Sequence, residues 1–185
     1  MVIIKRHQKA SFASALVRGA VALAVASAVL LGNGASSPAL AQAVQPAACP
    51  LRPAVPVAGK KDGQFVLQAD LSGMTASNIA SFIVVGKEAA ASGRVRDAEV
   101  AFLMSCRVAD KLKGMDATES ADAKYQLGWL YARLALEGGA GEASRTELRR
   151  RAERLYADSL RTYQARYGPA HEKTGFAAEG LAAFD

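Results

Sequence analysis

The sequence predicts an all-α protein in which antiparallel helical hairpins follow an irregular N-terminal strap. From Thr75 onward, apolar residues recur at helical spacing, and the breaks between these periodic segments carry glycine stops and short connections. Much of the 51% hydrophobic content is alanine, which suits closely packed helices better than a strand-rich core. The stretch just before Thr75 is punctuated by proline and cannot sustain a helix.

Residues 1–41 have the three-part layout of a secretory signal peptide. Lys5, Arg6, Lys9 and Arg18 precede an apolar run from Ala20 to Leu31, and Ala39 and Ala41 are the small residues before an expected cut at Gln42. A membrane anchor needs about 20 apolar residues, and this run is shorter. The expectation is export to the periplasm of a diderm bacterium, or secretion as the alternative, with no membrane span after cleavage. Four of the chain's 23 basic residues lie in this leader and none of its 17 acids do, so the mature chain is close to neutral. That balance argues against a nucleic-acid partner.

Residues 42–74 form the strap, with Phe65, Val66 and Leu67 as its apolar anchor. Cys49 and Cys106 are the only cysteines, and an even count in an exported chain reads as a disulfide holding the strap along the helical body. Two free thiols are the alternative. No C-x-x-C pair is present, and two thiols alone do not complete a zinc site, so no metal and no cofactor is expected.

Five helices are expected in residues 75–185. The first covers about 76–92 and stops at Gly93, and the second covers about 95–113 and stops at Gly114. The third, about 117–136, starts at Asp116 and ends at Gly138-Gly139. The fourth opens with Ser144-Arg145-Thr146-Glu147 as a capping box and ends at Gly168-Pro169. A fifth, about 172–184, closes the chain. On the fourth helix Leu148, Ala152, Leu155, Tyr156, Ser159, Leu160 and Tyr163 share a face, with the arginines opposite; Glu147–Arg151 and Arg154–Asp158 are expected pairs on that solvated side.

A repeat is visible. Phe82-x-x-Val85-Gly86-x-x-Ala89 followed by Ala98-x-x-x-Phe102 is echoed by Lys124-x-x-Leu127-Gly128-x-x-Tyr131 and Ala152-x-x-x-Tyr156, 42 residues on at its first positions. Gly86 and Gly128 would let paired helices approach, Ala98 and Ala152 would face them, and Phe102 and Tyr156 would plug the gap to the next hairpin. This spacing, with Tyr167-Gly168-Pro169-Ala170-His171 before a further start, resembles the long tetratricopeptide repeat of kinesin light chains. The resemblance implies a short solenoid of about two and a half repeats, with the last helix as a cap packing through Phe176, Leu181 and Phe184. It departs from the family pattern at Lys124, at Asp110 and in extra residues near 137–144. A four-helix up-and-down bundle is the alternative architecture.

Catalytic signatures are sparse. His171 is the one histidine after the leader, it falls in the inter-repeat linker, and no phosphate loop, nucleophile elbow or His-Glu-x-x-His pair is present, so an enzyme is not expected. The third helix is more informative. Lys124, Leu127, Gly128, Tyr131 and Leu134 form its packing stripe, whereas Tyr125, Trp129 and Arg133 form a second stripe at four-residue intervals. The resemblance implies that the first helix of each hairpin lines a concave groove, with Ile83, Lys87 and Ala91 as the equivalent stripe on the first hairpin. Lys87, Tyr125, Trp129 and Arg133 are therefore the expected ligand-binding residues, for a protein or peptide partner whose acidic groups Lys87 and Arg133 would select. Alternatively, Trp129 packs under the strap or the last helix. A self-associating envelope protein joined through the C-terminal helix, and a small periplasmic enzyme, are the rival functions.

Overall fold

The helices form between the glycine stops. The computed structural model describes residues 47–55, 67, 69–137 and 142–184, and its helices are α1 (Ala76–Ala91), α2 (Val95–Lys113), α3 (Thr118–Leu136), α4 (Glu142–Tyr167) and α5 (Glu172–Ala182), with no strand among those residues. The leader, the cut at Gln42, Phe65, Val66 and Gly138-Gly139 lie outside them. Gly93, Gly114 and Gly168 follow α1, α2 and α4 with φ of 70°, 95° and 85°, left-handed values that end a helix readily only at glycine. Thr75 is extended at the start of α1, and its N–H donates to Asn78 Oδ1 at 2.8 Å.

Each helix packs on the next in the chain, and α1 also touches α3. The core is continuous through α1 to α4: Ala89 of α1, Phe102 and Leu103 of α2, Leu127, Leu130 and Tyr131 of α3, and Ala152 of α4 are all fully buried, with Leu67 of the strap joining the same cluster. Lys124, the basic residue in an apolar repeat slot, is buried too and directs Nζ to the Met115 carbonyl at 3.4 Å.

The close approaches expected at the repeat glycines are present. A Cβ on Gly86 would fall on the Phe102 ring, one on Gly128 would lie 3.3 Å from Leu155 Cβ, and one on Gly180 would meet Tyr156 at 2.6 Å. Gly86→Ala is therefore expected to destabilise by about 1–3 kcal/mol through overpacking against a buried ring. Gly175→Ala, with nothing within 4 Å of the added methyl, should stabilise by about 0.5–1 kcal/mol because alanine loses less backbone entropy. Paired urea titrations check both signs.

Several local expectations change. Helix α4 begins at Glu142, so Ser144 lies inside its first turn rather than capping it; Glu147 makes the expected pair with Arg151 (2.7 Å) and a further one with Arg150 (2.5 Å). Nothing in Glu142-Ala143 breaks a helix, which lets it run back past the serine. Helix α3 is capped at Ala117, not Asp116, and α5 ends at Ala182, two residues early. Asp158 pairs with Arg161 at 2.6 Å instead of Arg154, whose Nε donates to the Arg150 carbonyl at 3.4 Å. Leu181 and Phe184 pack against the core, but Phe176 is 45% exposed; Ala177 and Thr174 are the buried residues of α5.

Candidate functional site

The Cys49–Cys106 disulfide is formed, with Cα atoms 5.8 Å apart. It anchors the strap to a polar stripe of α2 spaced by three and four residues. Arg96 donates to the Val55 carbonyl, and Glu99 accepts the N–H groups of Ala54 and Val55, the latter at 3.1 Å. Asp110 accepts the Cys49 N–H at 2.9 Å. The strap thus runs antiparallel to α2, since residue 49 lies toward the helix C-terminus and residue 55 toward its N-terminus. Arg107 takes the Leu67 carbonyl, and across the strap Arg151 of α4 takes that of Arg52 at 2.6 Å. These contacts read main-chain groups of the strap, so its side chains are little constrained by them.

Glu99 is the residue in this stripe that sequence reasoning missed. Its side chain is fully buried and also accepts the Tyr131 hydroxyl at 2.9 Å. Burial raises its carboxyl above the ordinary 4.5, while the strap amides, Tyr131 and Arg96 pull the other way without cancelling it. Native protein consequently holds the Glu99 proton to higher pH than unfolded chain does, and stability falls as pH rises from about 4.5 through the folded-state value. The stability of wild type minus that of Glu99→Gln should decrease across that window and be flat above it. Chemical denaturation from pH 4 to 8 measures the difference, and an increase with pH would reverse the assignment.

The second arrangement is a surface lined from α1, α3, α4 and α5. Ile83 and Lys87 of α1, Asp122 and Tyr125 of α3, Tyr163 of α4, and Lys173 and Phe176 of α5 line a depression of about 320 Å³. Asp122 ties two of the lining residues together. It accepts the Tyr163 hydroxyl at 2.7 Å and both of its oxygens meet Lys173 Nζ, at 2.7 and 2.8 Å. Burial, and then the Asp122 charge, push the Tyr163 phenol far above its usual range; burial and Glu179 raise Tyr125. Both tyrosines are held protonated; Tyr163 donates to Asp122, and Tyr125 supplies apolar surface. Lys173 Nζ also lies 5.6 Å from the Tyr163 ring centre, a cation–π contact.

Of the four expected binding residues, the structure brings Lys87 and Tyr125 into this depression and leaves Trp129 and Arg133 outside its lining. Lys87 is exposed and makes no ion pair with another described residue. Tyr125 packs edge-on to Tyr156 with ring centres 5.6 Å apart, so part of its face is committed to the core. Trp129, one turn along α3, is 36% exposed, and the Arg133 guanidinium sits 5.0 Å from its ring centre. Arg133 also pairs with Glu137 at 3.2 Å and reaches the Ala90 carbonyl at 3.5 Å. It is therefore a partly neutralised cation. Asp122 shares its helix face with Tyr125, a signal available at three-residue spacing; Lys173 and Tyr163 join it only through tertiary packing.

His171, the candidate linker residue, is the N-cap of α5. Its Nδ1 accepts the Lys173 N–H at 3.2 Å, and its ring stacks on Tyr167 at 4.3 Å. Among the described residues, no helix is long and apolar enough to cross a membrane. Comparisons with protein-family models, curated proteins and solved structures find no match to this chain.

Proposed function

We propose that this protein is an exported, tetratricopeptide-like adaptor that binds a peptide segment of a partner protein on the surface shared by α1, α3 and α5. The supporting observation is the depression itself: alternate helices contribute Lys87, Tyr125 and Phe176 to one concave surface, as expected where the first helices of successive hairpins face a common groove. The Gly86–Phe102 and Gly128–Leu155 approaches support the repeat reading, because each glycine lets its helix close on the next. The partner segment would lay apolar side chains against Tyr125, Phe176 and Trp129 and present an acidic group to Lys87. Its compartment would be the periplasm, consistent with the disulfide.

Selection of a random peptide display library on the oxidised protein tests this. Enriched peptides should share apolar residues and a carboxylate, and should compete with one another. A library that yields no consensus, or one indifferent to Lys87→Glu, would count against the groove. Phe176 is 45% exposed on α5 and supports one rival, self-association through that helix. Light scattering distinguishes the two, since a dimer abolished by Phe176→Ser favours the rival.

A further inference from the structure

We propose that the cleft between the strap and α4 is a binding site for a phosphoryl group, distinct from the depression on α1, α3 and α5. The cleft has a volume of about 450 Å³, and Arg52 of the strap together with Arg150, Arg151 and Arg154 of α4 line it. Among the described residues, two carboxylates, Glu147 and Asp158, share this lining with the four arginines. Glu147 is already divided between Arg150 at 2.5 Å and Arg151 at 2.7 Å. Asp158 is occupied by Arg161 at 2.6 Å and by the Ala47 N–H at 3.2 Å. Arg52 and Arg154 form no ion pair with another described residue.

An arginine-rich helix face is ordinarily a solvated surface, but here the strap runs alongside it and forms a second wall. Arg151, only 20% exposed, donates to the Arg52 carbonyl at 2.6 Å, and the disulfide fixes the chain three residues upstream at Cys49. The wall opposite α4 is thus held in place before any ligand arrives, which lowers the ordering cost of binding. Two cations that no described carboxylate pairs with, presented from two different elements, suit a doubly charged tetrahedral group whose oxygens point in several directions; a single carboxylate would leave one charge unmatched. Pro50, Leu51 and the edge of Leu155 supply an apolar side against which the body of a phosphoester can lie.

The phosphoryl group could belong to a soluble phosphoester or to a lipid headgroup, and the experiment separates them. Calorimetric titration of the oxidised protein with inorganic phosphate and with glycerol 3-phosphate should give saturable binding that weakens as ionic strength rises. Arg52→Gln and Arg154→Gln should each weaken it by about tenfold and together remove it, with unchanged melting curves showing that the fold is intact. Acetate should bind far more weakly. Sedimentation with phosphatidic acid vesicles, against plain phosphatidylcholine vesicles, identifies a membrane source if the arginine-dependent binding occurs there and not with glycerol 3-phosphate. The proposal is overturned if neither soluble ligand nor acidic vesicles bind saturably, if acetate binds as well, or if binding survives in the double variant.

Discussion

Replacing both Cys49 and Cys106 by serine is expected to lower the free energy of unfolding by about 4 kcal/mol, the chain-entropy value for a loop of this length. The two residues lie 57 apart in sequence, and both side chains are buried, Cys106 completely. Strap residues 47–55 have no regular secondary structure, and fixing each backbone costs about 1–2 kcal/mol. Against that cost stand hydrogen bonds to the charged groups of Glu99, Asp110, Asp158, Arg96 and Arg151, each with a net contribution of about 1.5–3 kcal/mol. These two sums are of similar size, so the covalent tether decides whether the strap stays down. Detachment would also take the Ala54 and Val55 amides away from the Glu99 carboxylate, leaving it the Tyr131 hydroxyl and Arg96. Hydrogen exchange should therefore show Ala54 and Val55 amides losing protection in the serine variant while α3 and α4 retain theirs. Denaturation midpoints report the total loss. A change below about 1 kcal/mol would mean that the side-chain contacts hold the strap unaided, contrary to this account.

Helix limits were legible wherever glycine fixed them. The bounds of α2 follow from Gly93 and Gly114, both of which adopt the left-handed backbone that makes glycine a stop. Where no glycine or proline intervened, as at Glu142-Ala143 before Ser144, a capping motif could not be told from an interior turn. The outward stripe of α3 was legible because helical phase alone separates Tyr125, Trp129 and Arg133 from Leu127, Gly128 and Tyr131, and only the latter three are buried.

What phase could not convey was the company each residue keeps. Arg133 is a cation on an outward face, yet Glu137 and the Trp129 ring share its charge. Asp122 is an ordinary helix acid until Tyr163 and Lys173, 41 and 51 residues away, converge on it. Glu99 carried a signal that was available: Arg96, Glu99, Leu103, Cys106 and Asp110 recur every three or four residues. A charged stripe in phase with a disulfide cysteine marks the side of α2 that receives the strap. The repeat glycines were informative because sterics act locally, through a ring or methylene pressed against a missing Cβ. Distant charge pairing has no such local signature.

Trp129→Ala is expected to weaken binding of a selected peptide by about thirtyfold, the effect of losing about 2 kcal/mol from an aromatic contact that flanks the depression. Folding should survive, because the indole is 36% exposed and does not belong to the buried set of α3. The same truncation frees Arg133 from the ring it overlies at 5.0 Å, so some of the loss comes from a cation no longer held in place. Tyr125→Ala is a poorer probe, since its edge contact with Tyr156 ties it to the core and its removal would disturb packing as well as binding. Lys87→Glu separates charge from apolar contact. Lys87 has no ionic partner among the described residues to leave stranded, so reversing it should cost little stability, reduce affinity for carboxylate-bearing peptides, and leave an amidated, uncharged version nearly unaffected. Fluorescence anisotropy with the free and amidated peptides measures both effects, and circular dichroism melts confirm the fold. Retained affinity in Trp129→Ala with an intact fold would remove the second half of the groove, confining the contact to the depression lined by Lys87, Tyr125 and Phe176. Retained affinity in Lys87→Glu as well would remove the site.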